Sequence, residues 1–285
     1  MSLDSTDFNR TAWDNIAAQG RKWFTPASGA EIEAARSGEF SIRLTACKPI
    51  PAGWLGSVRG RRVLALAAGG GHQGPLLAAA GADVTVVDFS AGQLAIDRQL
   101  ATEHSLPLET VLADMADLSS IPDASFDMVV NPCSVNFVAD ARPVWREAAR
   151  VLRAGGVLLT GVMLPVNFLF DAVQRDRGKL KIRFSIPYSD LQLPPEERDR
   201  TLGPQRPIDF GHSLSDLLGG QLDAGFQLTD LMEDRWGGKD VLSERTATFL
   251  ATRAVKATAE ARFEAFPGAM SNRFPGEDLD ELRSE

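Results

Sequence analysis

The residues of this sequence whose spacing could support chemistry begin with a glycine-rich stretch, RRVLALAAGGGHQG, at positions 61–74. Gly69, Gly71 and Gly74 follow the G-x-G-x-x-G spacing that binds the pyrophosphate of a dinucleotide. An apolar strand that runs into a glycine turn also introduces the binding of S-adenosylmethionine. In both cases glycines let the backbone approach the ligand, and a following helix presents free N–H groups. One cofactor delivers a hydride and the other a methyl group, so the glycines alone leave the chemistry open.

Acidic residues follow the next two strand-like stretches and narrow the choice of cofactor. Asp88 ends VTVVD, about 20 residues after the first glycine, where a carboxylate can accept both hydroxyls of an adenosine ribose. Asp114 follows the third stretch and can accept the exocyclic amine of adenine, while Met115 packs on the ring. Asp88 fits either cofactor. Asp114, a terminal hairpin and the lack of a separate substrate domain favour S-adenosylmethionine.

These residues must be positioned by alternating strands and helices. From residue 61 onward, short apolar stretches alternate with helical patterns, which predicts an α/β fold with a parallel sheet covered on both faces. The stretches that read as buried parallel strands are 63–67, 83–87, 108–112, 126–130 and 156–163. A hairpin of 226–233 and 246–253 is expected to complete the sheet.

Two of the helices have ends that can be read from the sequence. A helix over 91–103 is predicted to begin with the capping box Ser90-x-x-Gln93. A helix capped by Asp140 and running to Arg153 carries an apolar stripe, and the pair Gly155-Gly156 is expected to end it.

The rest of the chain divides into flanking regions and an insertion. We expect residues 1–50 to form an N-terminal helical cover and residues 51–256 to form the main domain. Within that domain, 164–212 is a proline-rich insertion, which we expect to act as a lid or an acceptor loop. Residues 257–285 read as a flexible acidic tail. The aromatic and apolar residues spaced for one face of the cover are Phe8, Trp13, Ile16 and Trp23.

Composition restricts the class of protein. The 285 residues carry a formal net charge of -8, which argues against a nucleic-acid partner. The two cysteines, Cys47 and Cys133, form no C-x-x-C motif, so we expect a reducing compartment and no metal site. The polar N-terminus and the lack of an apolar run of about 18 residues predict a cytoplasmic protein with no membrane partner. The sequence leaves the oligomeric state open.

From residue 61 to about 255 the sequence resembles the class I S-adenosylmethionine-dependent methyltransferases. The segments that carry the resemblance are VLALAAGGG, VTVVDFS, VLADMADL, FDMVVNPCS and EAARVLRAGGVLL. The resemblance implies a Rossmann-like, doubly wound sheet of seven strands in which the last strand is antiparallel to the others. It also implies transfer of a methyl group from S-adenosylmethionine, for which we expect a small-molecule acceptor.

Most of the predicted cofactor contacts come from matching these segments by position. The glycines would approach the methionine part, Asp88 the ribose, and Asp114 the adenine edge, while Asn131 would lie near the reacting methyl. The full predicted set is Gly69, Gly70, Gly71, His72, Asp88, Phe89, Asp114, Met115 and Asn131.

One departure from the family pattern leaves alternatives open. Members usually carry an acid two positions before the first glycine of D-x-G-x-G-x-G, whereas this chain has Ala65 and Ala67 at those two positions. His72 and Gln73 are the candidate substitutes. A non-catalytic S-adenosylmethionine-binding module and a nicotinamide-dependent oxidoreductase remain the alternative functions.

Catalytic residues are harder to predict, because the methyl donor is already activated and a base is needed only when the acceptor must lose a proton. His212, after the insertion, is the candidate base, and Tyr188, inside the insertion, is a candidate acceptor contact. Structural roles for both are the alternative. Asn131-Pro132-Cys133-Ser134 lacks the second proline and the aromatic of the N-P-P-[YF] signature, which argues against a nucleic-acid base methylase.

Overall fold

The computed structural model describes residues 3–20, 25–203, 205–238 and 240–258. The strands are β1 (Arg62–Leu66), β2 (Asp83–Asp88), β3 (Leu108–Leu112), β4 (Phe126–Asn131), β5 (Leu152–Met163), β6 (Tyr188–Ser189), β7 (Phe210–Gly211), β8 (Phe226–Asp234) and β9 (Phe249–Lys256). The helices are α1 (Ser5–Ala18), α2 (Gly29–Arg36), α3 (Ala52–Leu55), α4 (Gln73–Ala79), α5 (Ala91–His104), α6 (Arg142–Val151), α7 (Ala172–Asp176), α8 (Pro195–Leu202) and α9 (Gly220–Asp223).

Seven of these strands form one sheet in the order β3-β2-β1-β4-β5-β9-β8. Strands β1 to β5 pair in parallel, and β9 pairs antiparallel with both β5 and β8. The last strand therefore runs against its neighbours, which confirms the predicted Rossmann-like α/β fold.

The central strand β1 shows why helices cover both faces of the sheet. Its apolar residues are fully buried and alternate between two cores, with Val63 and Ala65 in one and Leu64 and Leu66 in the other. Side chains of α2, α4 and α5 complete the first core, and Trp145 of α6 lies in the second. Because α2 contributes to this core, the N-terminal region packs as part of the same body.

Two predicted boundaries are wrong. Helix α6 ends at Val151, because Leu152 is fully buried and already pairs with the start of β4. Gly155 does have a left-handed φ of 71°, but it lies within β5, beside a shift in register, and does not end the helix. The second hairpin strand begins at Phe249 and not at 246, since the Thr246 N–H donates to the Leu242 carbonyl within a turn.

The insertion folds into short elements held by buried polar contacts. Strands β6 and β7 pair antiparallel, which brings Asp190 next to Asp209. The Asp209 N–H donates to Asp190 at 2.8 Å, and the Asn136 amide donates to Asp209 at 2.6 Å. These bonds fix the insertion against the segment that follows β4, while its role as a lid stays a prediction.

Two predictions concern residues beyond the described ranges. Trp23 lies outside them, as does the predicted acidic tail apart from 257–258. No helix in the described part of the chain has the length and apolar character that crossing a bilayer requires.

Candidate active site

A cavity open to solvent lies where β1, β2 and β4 end and the segment after β3 begins. The carboxyl edge of a parallel sheet is the usual position of a ligand site in such folds. The residues that line it are Trp13, Ala67, Ala68, Gly69, Gly70, His72, Gln73, Asp88, Phe89, Gln93, Ile96, Asp114, Met115, Pro132, Cys133, Ser134, Phe137 and Val138.

The glycine turn between β1 and α4 directs its amides at two buried carboxylates. The Gly69 N–H donates to Asp88 Oδ2 at 3.0 Å. The Gly70 and Gly71 N–H groups both donate to Asp97 Oδ2, at 2.8 and 3.2 Å. A pyrophosphate needs free N–H donors at this turn, but here carboxylates take them. The turn therefore does not suit a pyrophosphate, the anionic group of a dinucleotide.

Burial controls the ionisation of these carboxylates. Burial raises the pKa of Asp88 to about 6. The hydrogen bonds from the N–H groups of Ser90 and Gly69 favour the ionised form and oppose this rise. Burial also raises the pKa of Asp97 to about 7, and the nearby Asp88 charge adds to the effect. Both groups change charge close to neutral pH.

The sequence reasoning missed Asp97, although a signal was present. Asp97 follows Leu94 by one helical turn in α5, and both side chains are buried against the sheet. A carboxylate on the apolar face of a helix needs a polar partner, which the glycine turn provides.

The helix-capping prediction at α5 is half right. Ser90 Oγ accepts the Gln93 N–H at 3.1 Å, but the Gln93 side chain reaches the Trp13 carbonyl at 3.5 Å and does not return to Ser90. The Ser90 N–H donates instead to Asp88 Oδ1 at 2.9 Å. The start of α5 thus helps to hold the Asp88 side chain at the edge of the cavity.

Helix α1 forms one wall of the cavity. Asp14 Oδ1 accepts the Ser90 hydroxyl at 2.6 Å and the Gly92 N–H at 3.0 Å, which docks α1 on the beginning of α5. The Trp13 ring meets the Phe137 ring edge-on, with centroids 5.2 Å apart. Helix α1 therefore contributes Trp13 to the cavity lining, where Trp13 packs against Phe137.

Seven of the nine predicted cofactor residues line this cavity, and two do not. Gly71 lies behind the turn, where its carbonyl accepts the Ala27 N–H at 2.7 Å. Asn131 is fully buried: its amide donates to Ser134 Oγ at 2.9 Å, and its carbonyl oxygen accepts from Thr160 Oγ1 at 2.9 Å. Asn131 thereby supports Ser134, which lines the cavity.

The two polar residues after the glycines are both at the cavity. Burial lowers the pKa of His72, and the positive charge of Arg43 acts in the same direction, against the opposing charge of Glu31. The Gln73 amide donates to the Arg43 carbonyl at 2.9 Å. Both side chains present neutral polar groups to the ligand site near pH 7.

His212 and Tyr188 lie away from the cavity. His212 is buried, and its Nε2–H donates to the Val135 carbonyl at 3.0 Å. The Tyr188 hydroxyl donates to Asp190 Oδ1 at 2.8 Å, and burial raises the Tyr188 pKa well above its ordinary value. Their partners, Val135 and Asp190, do not line the cavity either. A catalytic role for His212 or Tyr188 stays a prediction.

The wall after β4 is mainly apolar. Cys133 lies there, and burial, reinforced by the charge of Asp209, raises its pKa far above the ordinary value. Cys133 is therefore a neutral thiol at physiological pH. With Phe137, Val138 and Trp13, it forms an uncharged surface next to the glycine turn.

The strand order, the antiparallel last strand and the glycine turn faced by carboxylates together define a class I S-adenosylmethionine-dependent methyltransferase. Comparison with known proteins agrees. Residues 64–160 match the family described as "Methyltransferase domain". The chain is 44% identical over 249 residues to the uncharacterized methyltransferase YbaJ of Bacillus subtilis (strain 168), which covers 87% of this chain and 97% of that protein. The chain belongs to this methyltransferase family, and its cofactor is S-adenosylmethionine.

More distant proteins are similar to part of this sequence or have a similar fold. A ubiquinone biosynthesis O-methyltransferase of Bordetella avium (strain 197N) is 29% identical over 178 residues, 60% of this chain and 69% of that protein. The crystal structure of Burkholderia thailandensis 1,6-didemethyltoxoflavin-N1-methyltransferase, which contains S-adenosylhomocysteine, has a TM-score of 0.56 at 15% identity. The match covers 90% of this chain and 92% of that one. The oxidoreductase and non-catalytic alternatives are not favoured.

Proposed function

We propose that this chain transfers a methyl group from S-adenosylmethionine to a small, uncharged, largely apolar acceptor with a planar ring. The observation that carries the proposal is the surface of Trp13, Cys133, Phe137 and Val138, which borders the same cavity as the glycine turn. A cavity wall without charged side chains binds apolar rings by burying their surface. The aromatic pair of Trp13 and Phe137 in this wall offers ring surfaces for stacking.

The cofactor fits the other end of the cavity. Asp88 would accept the ribose hydroxyls, and Asp114 would accept the adenine amine beside Met115 and Phe89. The carboxylates behind the glycine turn suit the positive charge of the sulfonium. His72 and Gln73 would face the methionine part, in place of the acid that the family usually carries at position 65.

Catalysis in such a site depends mainly on alignment. S-adenosylmethionine supplies a methyl group that is already activated by its sulfonium. The chain aligns the acceptor atom with the methyl group and the sulfur of the donor. Helix α1 and the segment around Phe137, which follows β4, exclude water. The Cys133 thiol is neutral, and neither His212 nor Tyr188 lines the cavity. We therefore expect an acceptor atom that attacks the methyl group without a protein base and releases any proton to solvent.

The relatives support this class of acceptor. One relative is named for ubiquinone biosynthesis as an O-methyltransferase, and a solved structure of similar fold is an N1-methyltransferase with bound 1,6-didemethyltoxoflavin. Both names denote small-molecule methylation, on oxygen in one case and on nitrogen in the other.

The test has two stages. Calorimetry with S-adenosylhomocysteine checks cofactor binding. Labelled-methyl transfer is then measured on a panel of neutral hydroxylated aromatics, neutral nitrogen heterocycles and charged amino acids. We expect methylation within the neutral aromatic groups, and methylation restricted to charged acceptors would overturn the proposal.

A pair of variants on α1 sharpens the test. Trp13→Ala removes one ring of the cavity wall and should raise KM for the acceptor about tenfold or more. Phe8→Ala is the matched control, because Phe8 is half-buried on the same helix and does not line the cavity. Equal effects of the two variants would contradict an acceptor site at Trp13.

A further inference from the structure

The glycine turn lacks the acid that related turns carry in the first strand, since Ala65 and Ala67 occupy β1 and its end. A carboxylate nevertheless reaches this turn, from α5. Asp97 Oδ2 accepts the N–H groups of Gly70 and Gly71 at 2.8 and 3.2 Å. No other described side chain binds these two amides.

The turn lies directly against α5, and its backbone conformation is unusual. Gly70 and Gly71 have φ values of 109° and 80°, in the left-handed region that favours glycine. A Cβ on Gly71 would come within 2.8 Å of Leu100 Cδ1 and 2.9 Å of Ile96 Cγ2. The helix thus shapes the turn from behind, and the Asp97 carboxylate fixes the direction of its amides.

Asp97 is an unfavourable residue for stability alone. The side chain is fully buried, and Oδ1 has no hydrogen-bond partner among the described residues. An unpaired buried oxygen destabilises a fold. An apolar residue at this position would continue the buried face begun by Leu94. A group that is unfavourable in the core and that contacts a ligand-binding turn is typical of a functional position.

We propose that Asp97 is a positioning residue for the cofactor, whose carboxylate holds the Gly70–71 amides so that the turn receives the methionine part of S-adenosylmethionine. The proposal rests on the proposed cofactor site. It assigns the shaping of the turn to a carboxylate on α5, in a chain that has no acid in β1. Asp97 does not line the cavity and acts through the turn.

Three variants of the full chain separate this role from general packing. Asp97→Asn keeps a side-chain oxygen that can accept the N–H groups of Gly70 and Gly71. Asp97→Leu introduces a side chain of similar size that has no hydrogen-bond acceptor. Glu103→Gln is the matched control, an exposed acid near the end of the same helix. Affinity for S-adenosylhomocysteine is measured by calorimetry, and folding is checked by circular dichroism and thermal unfolding.

We expect Glu103→Gln to bind like the wild-type chain and Asp97→Asn to bind within about threefold of it. Asp97→Leu should bind about tenfold more weakly or worse, because two turn amides lose their acceptor. Wild-type affinity in folded Asp97→Leu would overturn the proposal, as would equal losses in both Asp97 variants. If the wild-type chain itself does not bind, the proposed cofactor site fails, which distinguishes that failure from this one.

A second measurement covers the case in which Asp97→Leu does not fold. In the wild-type chain, the amide proton shifts of Gly70 and Gly71 are followed by NMR with and without S-adenosylhomocysteine. The charged groups that face Asp97 are Asp88 on β2 and, beyond it, Asp14 on α1. We expect both amides to titrate with Asp97 and the ligand to shift that titration, while in Asp97→Asn the titration disappears. Amides that do not respond to the ligand would overturn the proposal.

Discussion

Asp88→Asn should weaken cofactor binding more than any other single conservative change at the cavity. Asp88 is buried, and its two oxygens accept the Gly69 N–H at 3.0 Å and the Ser90 N–H at 2.9 Å. An asparagine amide must place its NH₂ opposite one of these donors. The variant therefore loses one hydrogen bond to the backbone as well as an acceptor for the ribose.

The size of the effect follows from the hydrogen bonds that the ribose would no longer make. Hydrogen bonds to a charged group contribute about 1.5–3 kcal/mol each, so removing one or two of them weakens binding by about 3 kcal/mol, or about 100-fold. Asp83→Asn is the matched control, an exposed acid at the opposite end of the same strand. Calorimetry with S-adenosylhomocysteine measures both variants. An Asp88→Asn affinity within threefold of the Asp83→Asn affinity would refute the assignment of Asp88 to the ribose.

The same carboxylate predicts a pH dependence of binding. Burial raises the Asp88 pKa to about 6 in the free chain, so protonation competes with ribose binding below that pH. If the ionised form binds, affinity should rise about tenfold from pH 5 to pH 7 and then level off. In Asp88→Asn this dependence should be reduced, and an unchanged pH profile would contradict the reasoning.

Three further predictions concern stability and catalysis. Burial raises the Asp97 pKa from 3.8 to about 7, so the folded chain binds this proton more tightly than the unfolded chain. The free energy of unfolding should therefore fall as pH rises from about 4 to about 7, by up to about 4 kcal/mol from this group; constant stability in urea titrations would contradict it. Trp145→Ala should lower the free energy of unfolding by about 3–5 kcal/mol, since Trp145 is fully buried and its Nε1–H donates to the Asp216 carbonyl at 2.9 Å; a loss below 1 kcal/mol in the same assay would be inconsistent with this packing. His212→Gln and Tyr188→Phe should keep kcat within about threefold, because neither side chain lines the cavity; a 100-fold loss of kcat in a folded variant would identify a catalytic group.

The sequence indicated the sheet and much of the cofactor site because these features depend on local patterns. A buried parallel strand is a short apolar run, and the residue that ends it lies at the ligand edge of the sheet whatever the rest of the chain does. Gly69, Asp88 and Asp114 could be located in this way, and all three line the cavity. The boundary at Gly155 could not, because the early start of β5 depends on pairing with β4.

The cofactor family and the order of the elements were thus determined by the sequence itself. Tertiary packing decided which groups face the turn and the cavity. The rotation of α5 brings Asp97 under Gly70 and Gly71, and the docking of α1 through Asp14 brings Trp13 over the ligand site. Such contacts join segments that are far apart in the chain, and their geometry is set by how whole helices pack on the sheet. A local pattern can mark Asp97 as a carboxylate on the apolar face of a helix, but it does not fix how that helix packs, so only the fold shows that Asp97 binds the glycine turn.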